Sequence, residues 1–300
     1  MAIKGLIGII GGSGFVGSEI CAQLIASGYS VKVLTRNIDM CRHLKVLPSL
    51  SIIQINDYQV NTLAAHLKGC EALINLVGIL NEKGNDGKEF HQVHVGITRL
   101  ALNACEQANI PRLLQMSALN ADADAPSHYL RSKGKAENYL KTFAGEEVIY
   151  TIFKPSVIFG EGDNFLNRFA NLLKIVPGIF PLACANARFA PVYVGDVAKQ
   201  MIKSINDKKT YNQSFELCGP NIYSLKELVQ YTANICGYKR TVLGLPKFLS
   251  KFQATVFEYV PGKPFSKDNF NSLKLDSVCN QCASCTTPLQ AIAPTYLSKN

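Results

Sequence analysis

The stretch Gly11-Gly12-Ser13-Gly14-Phe15-Val16-Gly17 decides the fold, because it joins an apolar segment ending at Ile10 to a helical segment. A strand, a glycine-rich turn and a helix in this order are typical of phosphate and dinucleotide binding. Gly11 permits a tight turn, Gly14 lets the backbone approach a pyrophosphate, and Gly17 lets the helix pack on the strand. The helix N-terminus then offers free N–H groups and a positive dipole end to the phosphates.

Strands and helices alternate outward from this turn as far as Pro155. The apolar patterns predict strands over residues 3–10, 30–35, 50–55, 72–77, 113–117 and 148–153. Helical spacing is found over residues 15–27, 39–47, 62–67, 88–108 and 127–143. Continuously apolar strands separated by helices indicate a parallel sheet that is covered on both faces. We therefore predict an α/β, doubly wound parallel sheet of the Rossmann type, with residues 1–155 as the NAD(P)-binding domain.

The alternation ends after Pro155, and residues 156–300 are predicted to form a smaller C-terminal α/β lobe. Helices are expected over 165–175, 196–205, 224–236, 247–259 and 287–297, and strands over 188–194 and 215–217. Ser224 followed by Glu227 is a capping box that opens one of these helices. We expect this lobe to lie over the carboxyl ends of the strands and to serve a substrate or a partner.

Composition limits the possible partners. The 300 residues carry a net charge of +9, but lysine and arginine are spread along the chain, and no nucleic-acid-binding motif is found. The basic balance is compatible with a phosphorylated ligand or an anionic membrane surface. No apolar run reaches the roughly 18 residues of a membrane span. No secretory signal pattern precedes the first strand, so a cytoplasmic protein is expected, with the inner face of the membrane as an alternative place.

Ten cysteines are present, and seven of them stand singly in apolar surroundings. We expect these seven to be reduced: Cys21, Cys41, Cys70, Cys105, Cys184, Cys218 and Cys236. Cys279, Cys282 and Cys285 have a spacing that can hold an iron–sulfur cluster or zinc. No cysteine-proline pair or obvious histidine follows as a fourth ligand, so we predict no metal site and interpret them as incidental thiols.

The end of the second strand indicates which dinucleotide binds. An NAD site has an acidic residue there, whereas this chain has Arg36, which can hold a 2′-phosphate by a charge-assisted contact. The sequence therefore favours NADP(H) over NAD(H), with a solvated surface arginine as the alternative. Asp57 follows the third strand and is a candidate for the adenine amino group. Leu76, Val77 and Gly78 follow the fourth strand and are expected to lie along the cofactor.

A tyrosine and a lysine four residues apart form the candidate catalytic pair. Tyr129 and Lys133 fall on one face of a predicted helix. A nearby ammonium stabilises tyrosinate, so Lys133 is expected to lower the pKa of Tyr129 and to bond the nicotinamide ribose. Ser117, at the end of the fifth strand, is expected to orient a substrate carbonyl. The alternative is that the pair lines the cofactor without turning over a substrate.

Several phrases together resemble one family. GGSGFVG, YLRSKGKAE, FKPSVIFGEGDNFLNRFA and FAPVYVGDVAKQM resemble extended or atypical short-chain dehydrogenases/reductases. The last two, with FELCGPNIYSLKELV and TPLQAIAPTYL, are most similar to bacterial relatives of the nucleotide-binding accessory subunit of mitochondrial respiratory complex I. The resemblance implies a pyrophosphate site at Gly11, Gly12, Ser13, Gly14, Phe15 and Val16, with Arg36 on the 2′-phosphate and Pro155, Ser156 and Val157 on the nicotinamide side. It also implies a structural protein with bound NADPH or a protein of ubiquinone biosynthesis.

One position departs from active members of that family. Many carry an asparagine on the fourth helix that holds a proton-relay water, and His94 stands in its place here. A histidine can also bond water, so a relay stays open. The alternative is a half-buried histidine whose hydrogen bonds are satisfied within the protein.

Two functions follow. The first is an NADP(H)-dependent oxidoreductase that uses Tyr129, Lys133 and Ser117 on an apolar or quinone-related substrate. The second is a non-catalytic accessory or sensor protein of a respiratory or ubiquinone-biosynthesis complex. Aromatic and lysine residues alternate over 247–252 and 257–265, which is compatible with peripheral membrane or complex association, although core packing is favoured. The oligomeric state is left open.

Overall fold

The computed structural model describes residues 4–260, 263–280 and 285–298. Its strands are β1 Leu6–Ile10, β2 Ser30–Thr35, β3 Leu50–Gln54, β4 Ala72–Asn75, β5 Arg112–Met116, β6 Ile149–Pro155, β7 Ile158–Phe159, β8 Ile179–Leu182, β9 Arg188–Phe189, β10 Val192–Tyr193, β11 Gln213–Leu217, β12 Tyr223–Ser224 and β13 Thr241–Gly244. Its α-helices are α1 Phe15–Ala26, α2 Val60–Leu67, α3 Lys88–His91, α4 Ile97–Ala108, α5 His128–Phe143, α6 Leu166–Ile175, α7 Val194–Lys203, α8 Leu225–Ile235, α9 Lys247–Phe257, α10 Lys267–Ser272 and α11 Leu289–Leu297. Short 3₁₀ turns cover Ile38–Val46 and Lys208–Thr210, and a π-turn covers Gln92–Gly96.

The central sheet confirms the predicted doubly wound fold. Within the described ranges it contains seven strands in the order β11-β6-β5-β4-β1-β2-β3, and each neighbouring pair is parallel. Strand order reverses between β1 and β4. At such a point the connections leave in opposite directions and open a crevice at the carboxyl ends of the strands, where ligands bind in this class of sheet.

Helices cover both faces of the sheet, as its continuously apolar strands require. On one face, Ile20 of α1 and Met201 of α7 belong to the same core as Ile9 of β1. On the other face, Leu63 of α2 and Leu102 of α4 pack with the remaining side chains of the sheet. The turn after β1 therefore follows a strand that is buried on both faces of the sheet.

The C-terminal half has a smaller core of its own. Side chains of α6, α8 and α11 pack together with those of β8 and β13. The Ser224–Glu227 capping box at the start of α8 is confirmed. The strand predicted over 188–194 is wrong as one element. Pro191 has no amide hydrogen, and the two pieces pair separately, β9 with β12 and β10 with β7.

The large sheet includes a strand from beyond residue 155, where the sequence analysis divides the chain. β11 pairs with β6 from Gln213 to Leu217, so it lies in the large sheet although the sequence grouped it with the second lobe. The helix predicted over 88–108 is continuous but contains the π-turn. The elements β7, β8, β12, β13 and α10, all of which are short, were not predicted from the sequence.

Two expectations about the second lobe are wrong. The stripe on α9 is not core, because Phe248 and Phe252 are 70% and 65% exposed. The expected state of two cysteines is also wrong, because Cys218 is not reduced and Cys279 is not an incidental thiol: the two form a disulfide. The other six single cysteines are outside any disulfide and Cys285 is buried, while Cys282 lies outside the described residues. Throughout the described parts of the chain, no helix is long and apolar enough to cross a membrane.

Candidate functional site

The glycine turn lies at the crevice between β1 and β4. Gly11 has a positive φ of 79°, and a Cβ there would be 2.9 Å from the backbone of Leu76 and Val77. A Cβ on Gly17 would be 2.6 Å from the backbone of Gly12, so this glycine lets α1 pack directly on the turn. The turn and the segment after β4 thus come together, as the sequence predicted.

Gly14 differs from the other glycines of the turn because it faces open space. A Cβ at this position would have Gly11 O at 3.6 Å as its nearest neighbour, an ordinary contact. The need for glycine there therefore does not arise from the protein's own packing. A pyrophosphate lying against the turn and the start of α1 would supply the reason, so the residues fit a dinucleotide.

Ser13 and Val16 lie in this same turn and first helical residues, and the Phe15 ring extends from it toward the second lobe. A Cβ on Gly160 would meet the Phe15 ring at 3.3 Å. Gly160 follows β7, which begins just after the predicted nicotinamide-side residues Pro155, Ser156 and Val157.

Ser156 is buried, and its hydroxyl donates to the carbonyl of Ser277 at 2.7 Å. The segment of Ser277 continues to Cys279, whose disulfide joins it to the end of β11. A C-terminal segment thus covers the end of β6, which the sequence did not predict.

Arg36 lies immediately after β2 and is exposed. Its guanidinium lies over the ring of Tyr58, 5.4 Å from the centroid. Tyr58 follows β3 and was missed by the sequence reasoning, although an aromatic residue next to Asp57 was a visible signal. Asp57 is exposed and accepts from the Thr62 hydroxyl at 3.4 Å. The ends of β2 and β3 therefore bring a cation and an aromatic ring together.

Helix α5 carries the candidate catalytic pair and begins at a well-capped N-terminus. Ser127 accepts from the amide of Leu130. The carboxylate of Asp268, from α10, accepts from the amides of His128 at 2.6 Å and Tyr129 at 3.1 Å. A carboxylate at this end also interacts favourably with the helix dipole. The second lobe thus fixes the start of α5.

The environment of Tyr129 is the reverse of the one that the sequence predicted. Its ring packs edge-on against Phe90 and His94, with centroids 5.9 and 5.6 Å apart. Burial, with a further contribution from Asp268, raises the pKa of Tyr129 to about 12. The expected lowering by Lys133 is wrong for this structure, because desolvation of the phenolate dominates.

Lys133 is buried, and its ammonium donates to the carbonyl of Met116 at 3.3 Å. Burial lowers the pKa of Lys133 to about 8, although the nearby carboxylate of Glu137 opposes this shift. A Cβ on Gly78 would be 3.2 Å from Lys133 Nζ. Lys133 therefore lies beside the segment that was predicted to follow the cofactor.

Ser117 interacts with a residue that sequence reasoning missed. Its hydroxyl donates to Glu137 Oε1 at 2.5 Å, and Glu137 is buried one turn beyond Lys133 on α5. The other carboxylate oxygen of Glu137 lies 3.4 Å from Lys154 Nζ and 3.6 Å from Lys141 Nζ. The signal in the sequence was the extension of the Tyr129–Lys133 face by four more residues.

His94 lies in the π-turn and joins three elements. Nε2 accepts from the amide of Ile79 at 3.1 Å, and Nδ1 lies 2.7 Å from Ser132 Oγ. Ser132 donates its own proton to the carbonyl of Tyr129, so Nδ1–H of His94 is the donor in that contact. Burial and the charge of Lys133 lower the pKa of His94 to about 2. The ring is neutral and satisfied within the protein, and it is buried rather than half-buried.

Comparison with known proteins agrees with this geometry. Residues 11–167 match the NAD(P)H-binding family, and residues 118–226 match the 3-beta hydroxysteroid dehydrogenase/isomerase family. Subunit 9 of the NADH dehydrogenase [ubiquinone] 1 alpha subcomplex from Arabidopsis thaliana mitochondria is 28% identical over 94% of this chain and 73% of its own length. The resemblance to relatives of the complex I subunit is thereby confirmed.

One more relative and one solved structure are also similar to this chain. A 4-hydroxy-2-methyl-3-oxo-4-farnesyl-3,4-dihydroquinoline-1-oxide ketoreductase of Stigmatella aurantiaca is 25% identical over 52% of this chain and 51% of its own length. The dTDP-glucose 4,6-dehydratase DesIV of Streptomyces venezuelae, solved with NAD bound, superimposes with a TM-score of 0.67, at 18% identity, over 81% of this chain and 85% of its own. This second likeness concerns the fold alone.

Proposed function

The chain belongs to the NAD(P)H-binding family, and on that premise we propose that it is an accessory or sensor protein that holds NADP(H) without consuming it. The observation that carries this proposal is the Ser117–Glu137 contact. A hydroxyl has one proton, and in this structure Ser117 donates it in the hydrogen bond to the carboxylate of Glu137. Ser117 then has only lone pairs to offer and cannot donate to a substrate carbonyl.

The other candidate catalytic groups support the same conclusion. Both nitrogens of His94 are engaged, by Ile79 and Ser132, which leaves no ring atom for a relay water. With a pKa raised to about 12, the Tyr129 phenol is a weaker acid than a free tyrosine, which disfavours proton transfer from it to a substrate carbonyl. Each residue expected to transfer a proton is therefore either hydrogen-bonded within the protein or has an unfavourable pKa.

We propose NADP(H) rather than NAD(H) as the preferred dinucleotide. Arg36 stands where an NAD site would have a carboxylate, and its guanidinium stacks over Tyr58, which leaves its N–H edges free for a 2′-phosphate. The glycine turn would hold the pyrophosphate, Asp57 would face the adenine, and residues 155–157 the nicotinamide side. Residues 1–155 would form the dinucleotide domain and residues 156–300 the partner-facing lobe.

The exposed face of α9 supports association with a protein partner. Phe248, Phe252 and Val256 follow one another at helical spacing, and all three are exposed. Contiguous exposed apolar side chains mark interaction sites in many proteins, and the plant relative is named as a complex I subunit. We expect no flotation with anionic liposomes at low salt, whereas flotation that Phe248→Ser abolishes would favour peripheral membrane binding.

The runner-up function is an NADP(H)-dependent reductase of a quinone-related or other carbonyl substrate. It is favoured by the position of Lys133 Nζ beside Gly78, on the same helix face as Tyr129. The Stigmatella aurantiaca relative is named as a ketoreductase.

One pair of assays separates the two functions. NADPH, NADP⁺ and NADH are titrated into the purified protein while the melting temperature is followed, and NADPH absorbance is then recorded with decylubiquinone and a panel of ketones. The accessory role predicts stabilisation by NADP(H), about 2.7 kcal/mol at a hundredfold excess over Kd, and no oxidation above the buffer rate. Protein-dependent oxidation by any acceptor would contradict it.

A further inference from the structure

A polar cavity lies next to α5, outside the proposed dinucleotide site. It opens between the loop that follows β4 and the C-terminal segment that contains the end of α9 and the start of α10. The residues that matter are Asn81, Glu82, Phe90, Glu258, Lys263 and Asp268. Phe90 packs on the Tyr129 ring, and Asp268 accepts from the Tyr129 amide, so this cavity shares walls with the candidate catalytic pair.

Hydrogen-bond acceptors in this cavity lack donors. Among the residues that the structure describes, the buried side-chain oxygens without a hydrogen-bond partner are Asn81 Oδ1, Glu82 Oε2 and Glu258 Oε2, and all three residues line this cavity. Glu82 is only 7% exposed, and its other oxygen accepts from the Gly87 amide at 2.9 Å. Buried acceptors are almost always satisfied in folded proteins, so these oxygens indicate an external donor.

The two lysines at the cavity already contact oxygens of the protein. The ammonium of Lys263 lies 2.9–3.1 Å from four oxygens of the 82–85 loop, although it has three protons. Lys267 Nζ lies 3.2 Å from Glu258 Oε2, so this oxygen has a counter-ion although the contact lacks hydrogen-bond geometry, and Asn81 Oδ1 and Glu82 Oε2 are the oxygens without either. Asp268 is satisfied by the amides at the start of α5. Neither ammonium is bonded to Glu82 Oε2, so its donor comes from outside the protein, as a bound water or a ligand.

Charge and shape select the kind of donor. Three carboxylates, Glu82, Glu258 and Asp268, face the cavity with two lysines, 263 and 267. The ring of Phe90 forms an apolar wall, and an aromatic ring beside carboxylates suits an ammonium group. A metal ion is disfavoured, because within the described ranges no group of three histidine, cysteine or acidic side chains could hold one.

We propose that this cavity binds a protonated alkyl amine, with Glu82 and Glu258 as its anionic partners and Phe90 beside its carbon chain. A ligand there would lie beside Phe90, which packs on Tyr129, and beside Asp268, which caps the N-terminus of α5. The amine would thus act next to the nicotinamide side as an effector of a protein that holds NADP(H). That last role rests on the proposed function, whereas the binding itself does not.

The test uses n-butylammonium chloride and its uncharged counterpart n-butanol on the full-length protein without dinucleotide. Saturation-transfer NMR follows each probe against the wild type, Glu82→Gln, Glu258→Gln and the double variant. Glu147→Gln, an exposed change before β6, is the matched control. We expect saturable n-butylammonium binding, at least tenfold tighter than n-butanol binding, that is lost in the double variant and kept in the control.

Three results would overturn the proposal. They are equal binding of the two probes, n-butylammonium binding that survives in the double variant, and displacement of the amine by micromolar Ca²⁺, which would indicate a metal site. Folding of each variant is checked by circular dichroism and by NADPH titration. Because NADPH binding is measured separately, failure of the amine site and failure of the dinucleotide proposal give different results.

Discussion

The glycine turn and the start of α5 face the same crevice but differ in how free their functional groups are. In the turn, Gly14 keeps open space in front of a helix N-terminus. At α5, Ser117 donates its hydroxyl hydrogen bond to Glu137, and both ring nitrogens of the nearby His94 are hydrogen-bonded within the protein. The first region is prepared for a ligand, whereas the second is satisfied within the protein. This difference is what the proposed role of a protein that holds NADP(H) without consuming it requires.

The largest effect is expected from two glycines of the turn. Gly17→Ala places a Cβ 2.6 Å from backbone atoms and should destabilise the protein by several kcal/mol, or prevent folding. Gly14→Ala has room in the free protein, so it should fold normally but lose at least tenfold in NADPH affinity. Urea unfolding and NADPH fluorescence titration measure the two effects. Unchanged NADPH affinity in Gly14→Ala would remove the turn from the proposed site.

Arg36→Ala should weaken NADPH binding by about tenfold, corresponding to about 1.4 kcal/mol, and leave NADH binding unchanged. The reason is that only NADPH carries the 2′-phosphate. Arg42→Ala is the matched control, since Arg42 is also exposed and pairs with Asp39. If NADPH and NADH affinities fell together in Arg36→Ala, the role of Arg36 in choosing the dinucleotide would be wrong.

Most of the dinucleotide region could be predicted from the sequence, because its chemistry lies in consecutive residues. The turn, Arg36 and the segment after β4 each follow a strand end, and parallel strands bring their carboxyl ends to one edge. The hydrogen bonds that engage the candidate catalytic residues around α5 could not be predicted in this way. Ser117, Ile79 and Asp268 come from three different segments, and only the packing of β5, the π-turn and α10 brings them to the same helix. The Cys218–Cys279 disulfide also joins residues 61 apart in sequence.

Ser117→Ala should lower stability without changing nucleotide binding. It removes a donor from the buried carboxylate of Glu137, which costs about 1–3 kcal/mol. Ser51→Ala, on the half-exposed strand β3, serves as the control. Urea unfolding and NADPH titration are the measurements. A loss of NADPH oxidation with unchanged stability would instead make Ser117 catalytic.

His94 should make the protein sensitive to mild acid. Its folded-state pKa is lowered to about 2, whereas the unfolded chain titrates near about 6.5. The unfolded state then binds a proton that the folded state does not, so stability falls as the pH decreases below about 6.5. Between pH 7 and pH 5 the His94 contribution amounts to about 2 kcal/mol.

His94→Gln should flatten this part of the pH dependence, although it lowers stability at pH 7 by breaking the Ile79 and Ser132 contacts. His91→Gln, exposed one turn earlier, should not change the slope. Urea unfolding at pH 7 and pH 5 gives both values. Identical slopes for the wild type and His94→Gln would mean that His94 titrates normally in the folded protein.

The central claim is that NADPH is held and not consumed, and a single-turnover experiment tests it most directly. Stoichiometric NADPH is bound to the wild type and to Tyr129→Phe, each is mixed with excess decylubiquinone or ketone, and absorbance at 340 nm is followed. We predict that both proteins keep their NADPH, with decay at the buffer rate. Rapid loss of absorbance in the wild type that Tyr129→Phe abolishes would contradict the claim and identify the protein as a reductase.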